Sequence, residues 1–333
     1  MAKPASTEEK LSVLRDLQKA SISEGTRIAL GKALAGANNI IVAEAAKTAG
    51  RLGMEKMIPD LLKAFDRLLD NPLKRDKGCL AKEAIIETLD KLEYDQVDIF
   101  FHGIRYYQIE PAYLRPVDTA AILRGRCAFA LVRIGGAGVV FELVELLVDP
   151  EPQARIAAVK ALTGISSDIS EPLLRLKTRQ GDEDHQVVAE CLFALMDVNP
   201  ENSVGFVEKF LFLGSEDFSE LSDRDLILAE NAALAIGGSK LEIAFEILQH
   251  HRENSINPEF QDMLLMPMAL TRFEGAFNYL IDIIENGFRQ SAVSAVNAIK
   301  LFGDESHQTR IQSAVELRDD TEISKAYAAW HSA

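Results

Sequence analysis

Arginine and tyrosine crowd into one stretch of this 333-residue chain. Between Tyr94 and Arg126 lie four of its six tyrosines: Tyr94, Tyr106, Tyr107 and Tyr113. From His102 to Arg126 the chain carries Arg105, Arg115, Arg124 and Arg126 against Glu110 and Asp118, a local balance of +2 in a protein of formal charge −15. An earlier segment adds Lys74, Arg75 and Lys77. Guanidinium forks grip carboxylates and phosphates bidentately, and tyrosines supply flat, half-polar contact surface. The residues that could form such a site are Arg75, Lys77, Arg105, Tyr106, Tyr107, Tyr113, Arg115, Arg124 and Arg126. Its ligand would be an acidic peptide, a phosphate-bearing small molecule or a carboxylate. The same residues also suit a well-ordered long loop, with its tyrosines packed on an edge and its arginines paired to local acids.

Other chemistry does not assemble. The acidic runs Gly181-Asp182-Glu183-Asp184 and Glu216-Asp217, with Glu220 and Asp223, lack the fixed glycine and terminal glutamate of a calcium loop and suit solvated helix N-termini. His250 and His251 are adjacent and do not share a helix face, and His102, His185, His307 and His331 have no metal-ligand spacing. Cys79, Cys127 and Cys191 make no disulfide framework and fit core positions. There is no phosphate-binding glycine loop and no nucleophile elbow. Gly135-Gly136 and Gly237-Gly238 are expected to end helices, and Trp330, with Tyr327, to seal the end of the chain. The expectation is no catalytic residue, no metal and no cofactor.

The elements that must position the Tyr/Arg stretch follow from a repeat. Taking Ile165 as an anchor, the positions 3, 4 and 7 residues earlier are Leu162, Ala161 and Ala158, one apolar helix face. The same stripe recurs at Leu52, Leu92, Ile134, Val198, Ile236, Phe273 and Phe302. Four residues before these eight anchors stand Thr48, Thr88, Ala130, Ala161, Ala194, Ala232, Ala269 and Ala298, every one small. A small side chain at a fixed depth lets a neighbouring helix approach closely. A single hairpin cannot bury its apolar face, but stacked neighbours can. Each stripe is followed by a second helical segment. The hairpins run from Ile40–Leu52 with Pro59–Leu69 to Gln290–Phe302 with Gln308–Leu317. Helices over Thr7–Ala20 and Glu24–Ala35 precede them, and Glu322–His331 follows. Pro267 is expected to kink Phe260–Phe273.

The segment Asp149-Pro150-Glu151-Pro152, followed by Arg155, Ala157, Ala158, Ala161 and Leu162, resembles a HEAT repeat, most like the short bacterial type in phycobilisome-lyase-like proteins. The resemblance covers about residues 40 to 316. It implies an all-α, armadillo-like fold: a right-handed α-solenoid of about eight helical hairpins capped at both ends. Residues 1–39 would be the N-terminal cap, 40–317 the array and 318–333 the C-terminal cap. The excess length falls between hairpins, near Asp70–Gly78, Tyr107–Val117, Gly214–Asp223 and His251–Glu259, on the edge where such stacks often bind.

Composition narrows the function. An acidic chain disfavours nucleic acid and anionic membrane, and the helical glycosylases on similar repeats need a basic groove. No run of 18 apolar residues implies a membrane span, and MAKPASTEEK has no apolar signal region, so a bacterial cytoplasm is the expected location. Deoxyhypusine hydroxylase, a related helical-repeat family, carries iron on His-Glu dipeptides. None of the six histidines here precedes a glutamate. The expected function is a non-catalytic scaffold or adaptor holding a protein or peptide partner. The alternative implied by the resemblance is phycobilin-lyase-like or chaperone-like binding of a small anionic cofactor or pigment.

Overall fold

The computed structural model describes residues 6–17, 22–211, 222–303 and 305–328. The chain is nearly all helical and divides into two units, Met1–Ile165 and Ser166–Ala333.

In the first unit the helices are α1 (Thr7–Leu17), α2 (Glu24–Leu34), α3 (Asn39–Arg51), α4 (Ile58–Leu69), the single turn α5 (Pro72–Arg75), α6 (Leu80–Lys91), α7 (Asp98–Ile104), α8 (Ala121–Ile134), α9 (Val139–Leu146) and α10 (Pro152–Leu162). The striped helices α3, α6, α8 and α10 pack on one another in chain order, and α4, α7 and α9 each pack on the next striped helix. Local chemistry sets the ends. Asn38 Oδ1 accepts the Ile40 and Ile41 N–H groups and starts α3. Pro59 lies in the first turn of α4, where its missing N–H costs nothing. Gly135, at φ 79°, ends α8.

The second unit holds α11 (Ser167–Gln180), α12 (His185–Val198), α13 (Pro200–Val207), α14 (Asp223–Gly238), α15 (Ile243–Asn254), α16 (Pro258–Met263), α17 (Leu265–Leu270), α18 (Glu274–Asn286), α19 (Arg289–Phe302), α20 (Glu305–Arg318) and α21 (Thr321–Ala328). Here α12, α14, α17 and α19 pack in order. Ser222 and Asp225 form a reciprocal capping box at the start of α14.

The small column is buried at all eight positions. The close approach it permits is visible at Gly50, where a Cβ would meet the Thr88 side chain at 3.2 Å. Seven of the eight residues seven before an anchor are also buried; the exception is Met266. The expected kinked helix Phe260–Phe273 is instead two helices, α16 and α17, broken at Met263–Leu264. That is one turn before Pro267, where the ring faces the carbonyl of residue i−4. The stripe shifts, and Leu265, Met268 and Ala269 take the core while Met266 faces solvent.

A second correction concerns Gly237-Gly238. Both lie inside α14 rather than beyond its end. A Cβ on Gly237 would stand 2.3 Å from the Pro267 carbonyl oxygen, so this glycine serves helix contact, not capping. Third, the connection after α7 contains a small antiparallel ladder, β1 (Ile109–Glu110) with β2 (Val117–Asp118), pairing Ile109 with Asp118 and Glu110 with Val117. Trp330, His331, Glu216, Asp217, Glu220, most of the Gly214–Asp223 insertion and the ends of the first and last expected helices lie outside the described residues.

Candidate functional site

The connections ahead of α6, α8 and α10 share one pattern. Asp76, Asp118 and Asp149 each precede by six residues a cation in the first turns of the next helix: Lys82, Arg124 and Arg155. Asp76 accepts the Ala81 N–H through Oδ1 (2.9 Å), and the Lys82 N–H (3.0 Å) and Lys82 Nζ (2.9 Å) through Oδ2. Both side chains are fully buried. Arg155 Nη1 donates to the Asp149 carbonyl at 2.7 Å.

Arg124 spans two connections. Its Nε and Nη2 donate to the Asp149 carboxylate, both at 2.8 Å. Its Nη1 donates to Asp118 Oδ2 at 2.6 Å and to the Tyr106 carbonyl at 3.0 Å. Burial disfavours the charged guanidinium, but the two carboxylates more than offset it and hold Arg124 above its ordinary pKa. Every nitrogen of the fork is engaged.

The β1–β2 hairpin is tied to the preceding connection by polar groups that are themselves buried. Gln108 Nε2 donates to the Asp76 carbonyl (2.8 Å) and to Glu110 Oε1 (2.7 Å). Glu110 Oε1 also accepts the Gly78 N–H (2.6 Å) and Thr119 Oγ1 (3.0 Å). Burial alone would push the Glu110 carboxyl up; the bonds from Gln108, Gly78 and Thr119 hold it below the usual range. Asp118 Oδ1 accepts from the Gln108 and Ala120 N–H groups, both at 3.0 Å. Residues 111–116 project from this base. Tyr113 and Leu114 there are 101% and 90% exposed, with Arg115 exposed beside them.

The nine residues expected to form an anion site are therefore dispersed. Arg124 is withdrawn into the core. Arg105 pairs with Glu142 and lies over the Phe101 ring. Arg126 reaches Glu83 (3.1 Å) and Glu87 (3.2 Å) on α6. Arg75 donates to the Arg67 carbonyl (2.9 Å) and approaches Asp70 (3.4 Å). Tyr107 donates to Asp149 Oδ2 at 3.2 Å while Arg124 lies over its ring at 4.1 Å. Tyr106 is half-buried, bonded to Gln108, with burial raising its phenol to about 12. Lys77 is exposed, its carbonyl accepting from Asn39. Arg115 and Tyr113 stand in solvent at the hairpin tip. The structure thus brings Tyr106, Tyr107 and Arg124 together as part of a structural clasp and leaves no cluster of free guanidinium groups among the nine. The residues missed from sequence were the acids Asp76 and Asp149, with Lys82 and Gln108. The signal that could have found most of them is the six-residue Asp-to-cation spacing, with all three cations, Lys82, Arg124 and Arg155, ten residues before their anchors.

Beside this clasp lie two open depressions on either side of Arg105 and Tyr107. One, about 400 Å³, is lined by Asp98, Phe101 and His102; the other, about 450 Å³, by Glu142, Glu145 and Val148. Among the described residues no group of three or more His, Cys, Asp or Glu side chains could hold a metal ion. Cys79, Cys127 and Cys191 are all buried, and burial pushes the Cys79 and Cys191 thiols up to about 12 and Cys127 well above its usual value. Among the described residues no helix is long and apolar enough to cross a membrane.

No protein-family model matches the chain, and no curated protein sequence matches it. Solved structures do. An engineered protein is 17% identical over 99% of this chain and 96% of its own, with a TM-score of 0.40. The complex of CpcE and CpcF of phycocyanin lyase from a Nostoc species is 17% identical, covering 77% of this chain and 93% of that one, at 0.35. Human deoxyhypusine hydroxylase in complex with glycerol is 14% identical, covering 88% and 96%, at 0.30. At these scores the likeness carries no argument about activity, ligand or partner.

Proposed function

We propose that this protein is a non-catalytic binding scaffold: a right-handed, HEAT-like α-solenoid of about eight hairpins, working in a bacterial cytoplasm, that holds a protein partner. The projecting β1–β2 hairpin is its contact element. One observation supports this most strongly. Buried ion pairs and hydrogen bonds from Asp76, Gln108, Glu110, Asp118 and Arg124 fix the base of a loop whose own side chains, Tyr113, Leu114 and Arg115, contribute nothing to the core. Ordering a loop opposes its conformational entropy. An exposed Tyr-Leu-Arg carried on an anchored base is what a recognition surface offers, since Tyr and Arg lead among residues that dominate binding energy. The test is affinity capture from the native cell with the wild-type chain and with the double variant Tyr113→Ala, Arg115→Glu. A partner held by the wild type and released by the variant supports the proposal. A partner held equally by both, or none at all, counts against it.

A further inference from the structure

The face of α9 points to a second contact surface. Its sequence, VVFELVEL, followed by Leu147 and Val148, is apolar on both sides. Val139, Leu143, Leu146 and Leu147 fill the core. Phe141 and Val144 lie on the opposite face of α9, and Val148, in the turn two residues past its end, continues their i, i+3, i+7 spacing. They are 76%, 37% and 62% exposed. Singly exposed apolar residues are ordinary; three that follow one another at helical spacing make this surface a candidate for contact.

The charges beside the patch choose its partner. Asp98, Glu142 and Glu145 line the two depressions with one guanidinium among them, Arg105, which Glu142 already neutralises. Among the described residues Asp98 and Glu145 have no ion-pair partner. The exposed apolar residues therefore run roughly 10 Å along α9 and the turn after it, with Glu145 on the same helix and Asp98 in the adjoining depression beyond Arg105 and Tyr107. Resting on the reading of this chain as a protein-binding scaffold, we infer that the α7–α9 surface seats a basic amphipathic helix of a partner protein. The partner's apolar face covers Phe141, Val144 and Val148, while its Lys or Arg side chains reach Glu145 and Asp98. This is recognition of an amphipathic helix by anchors at helical spacing, with charge setting orientation and rejecting acidic sequences.

The test is fluorescence anisotropy with three labelled 18-residue peptides: Leu and Lys at amphipathic helical spacing, the same peptide with Glu for Lys, and the Leu/Lys composition scrambled off one face. The expected result is saturable binding of the first, none of the second, and binding of the third about tenfold weaker or worse. Phe141→Ser with Val148→Ser, and separately Asp98→Lys with Glu145→Lys, should each weaken binding of the first peptide about tenfold. A control carrying the same charge change, Glu230→Lys with Glu246→Lys, should stay within about twofold. Equal loss in that control, or wild-type affinity in both surface variants, overturns the inference. Glu145→Lys alone, at an exposed position, serves if the apolar double variant does not fold. The hairpin double variant separates the two readings. Peptide binding that survives Tyr113→Ala with Arg115→Glu leaves this surface standing even if the hairpin proposal fails. A hairpin-dependent partner with no peptide binding does the reverse.

Discussion

Two connections do the same topological job with very different amounts of chain. Residues 181–184 carry α11 into α12; residues 105–120 carry α7 into α8. The short one consists of Gly181 in the left-handed region, the buried carboxylate of Asp182 paired with Lys177 at 2.8 Å, and Asp184 accepting the Gln186 N–H to cap α12. The long one shares only the paired acid: Asp118 bonds Arg124 and accepts the Ala120 N–H two residues on, as Asp182 does with Lys177 and the Asp184 N–H, but it has no glycine and no side-chain cap on α8. It then adds a hairpin and a second layer of buried polar groups. Four residues suffice to join such helices, so the rest of the long connection serves something other than closure.

The ion pairs of the two connections should differ most in what they contribute to stability. Arg124→Met would leave Asp118 and Asp149 buried without their shared cation, and should cost about 3–5 kcal/mol in chemical denaturation. Lys177→Met removes one contact from one carboxylate and should cost about 1–3 kcal/mol. Equal losses would mean that the long connection is no more tightly held than the short one. In the second unit the sensitive point is steric. Gly237→Ala, driven against the Pro267 carbonyl, should cost about 1–3 kcal/mol in thermal or urea unfolding, whereas Gly205→Ala on α13, with open space around it, should gain up to about 1 kcal/mol.

The two units should also respond to acid in different windows. Glu110, held below the usual carboxylate range, stabilises the first unit above its unfolded pKa of about 4.3. That contribution is lost as pH falls through the still lower folded value. His251 in the second unit is buried beside Glu208 (3.1 Å), and burial lowers its pKa despite that carboxylate. Its folded state resists protonation, so stability falls once pH drops below about 6.5. Unfolding followed by probes in each unit should show the second weakening first, with His251→Gln flattening the response between pH 7 and 5 and Glu110→Gln flattening it below about 4. The smallest effect on stability belongs to the hairpin tip. Replacing Tyr113, Leu114 and Arg115 with Gly-Ser-Gly should shift stability by no more than about 0.5 kcal/mol. A larger loss would show the tip to be part of the fold.

The striped helices were legible because burial at a fixed period leaves its mark on residue type: Thr48, Thr88 and the six alanines of that column are all buried. Pro267 was legible as a disturbance but not as a break, because whether a helix bends or splits depends on what packs beside the freed carbonyl. Gly237 was misread because a glycine that ends a helix and one that lets a neighbour's backbone close in look the same in sequence. The site misled more deeply. Local charge counting set Arg105, Arg124 and Arg126 against only two acids, while Glu142, Asp149, Glu83 and Glu87, up to 43 residues away in the chain, neutralise them in space. The outer stripe of α9 was hidden because its inner face is equally apolar, so periodicity marked no boundary between core and surface.

Arg124 has one further consequence. It joins Asp118, in its own connection, to Asp149, in the next. Neither end can fray alone, because opening either strips a buried charge from the other. Amide hydrogen exchange near Gln108–Asp118 and near Asp149–Arg155 should therefore slow and quicken in concert, as one opening unit. A helix gripping the outer side of α9 would then be felt at a hairpin it never touches.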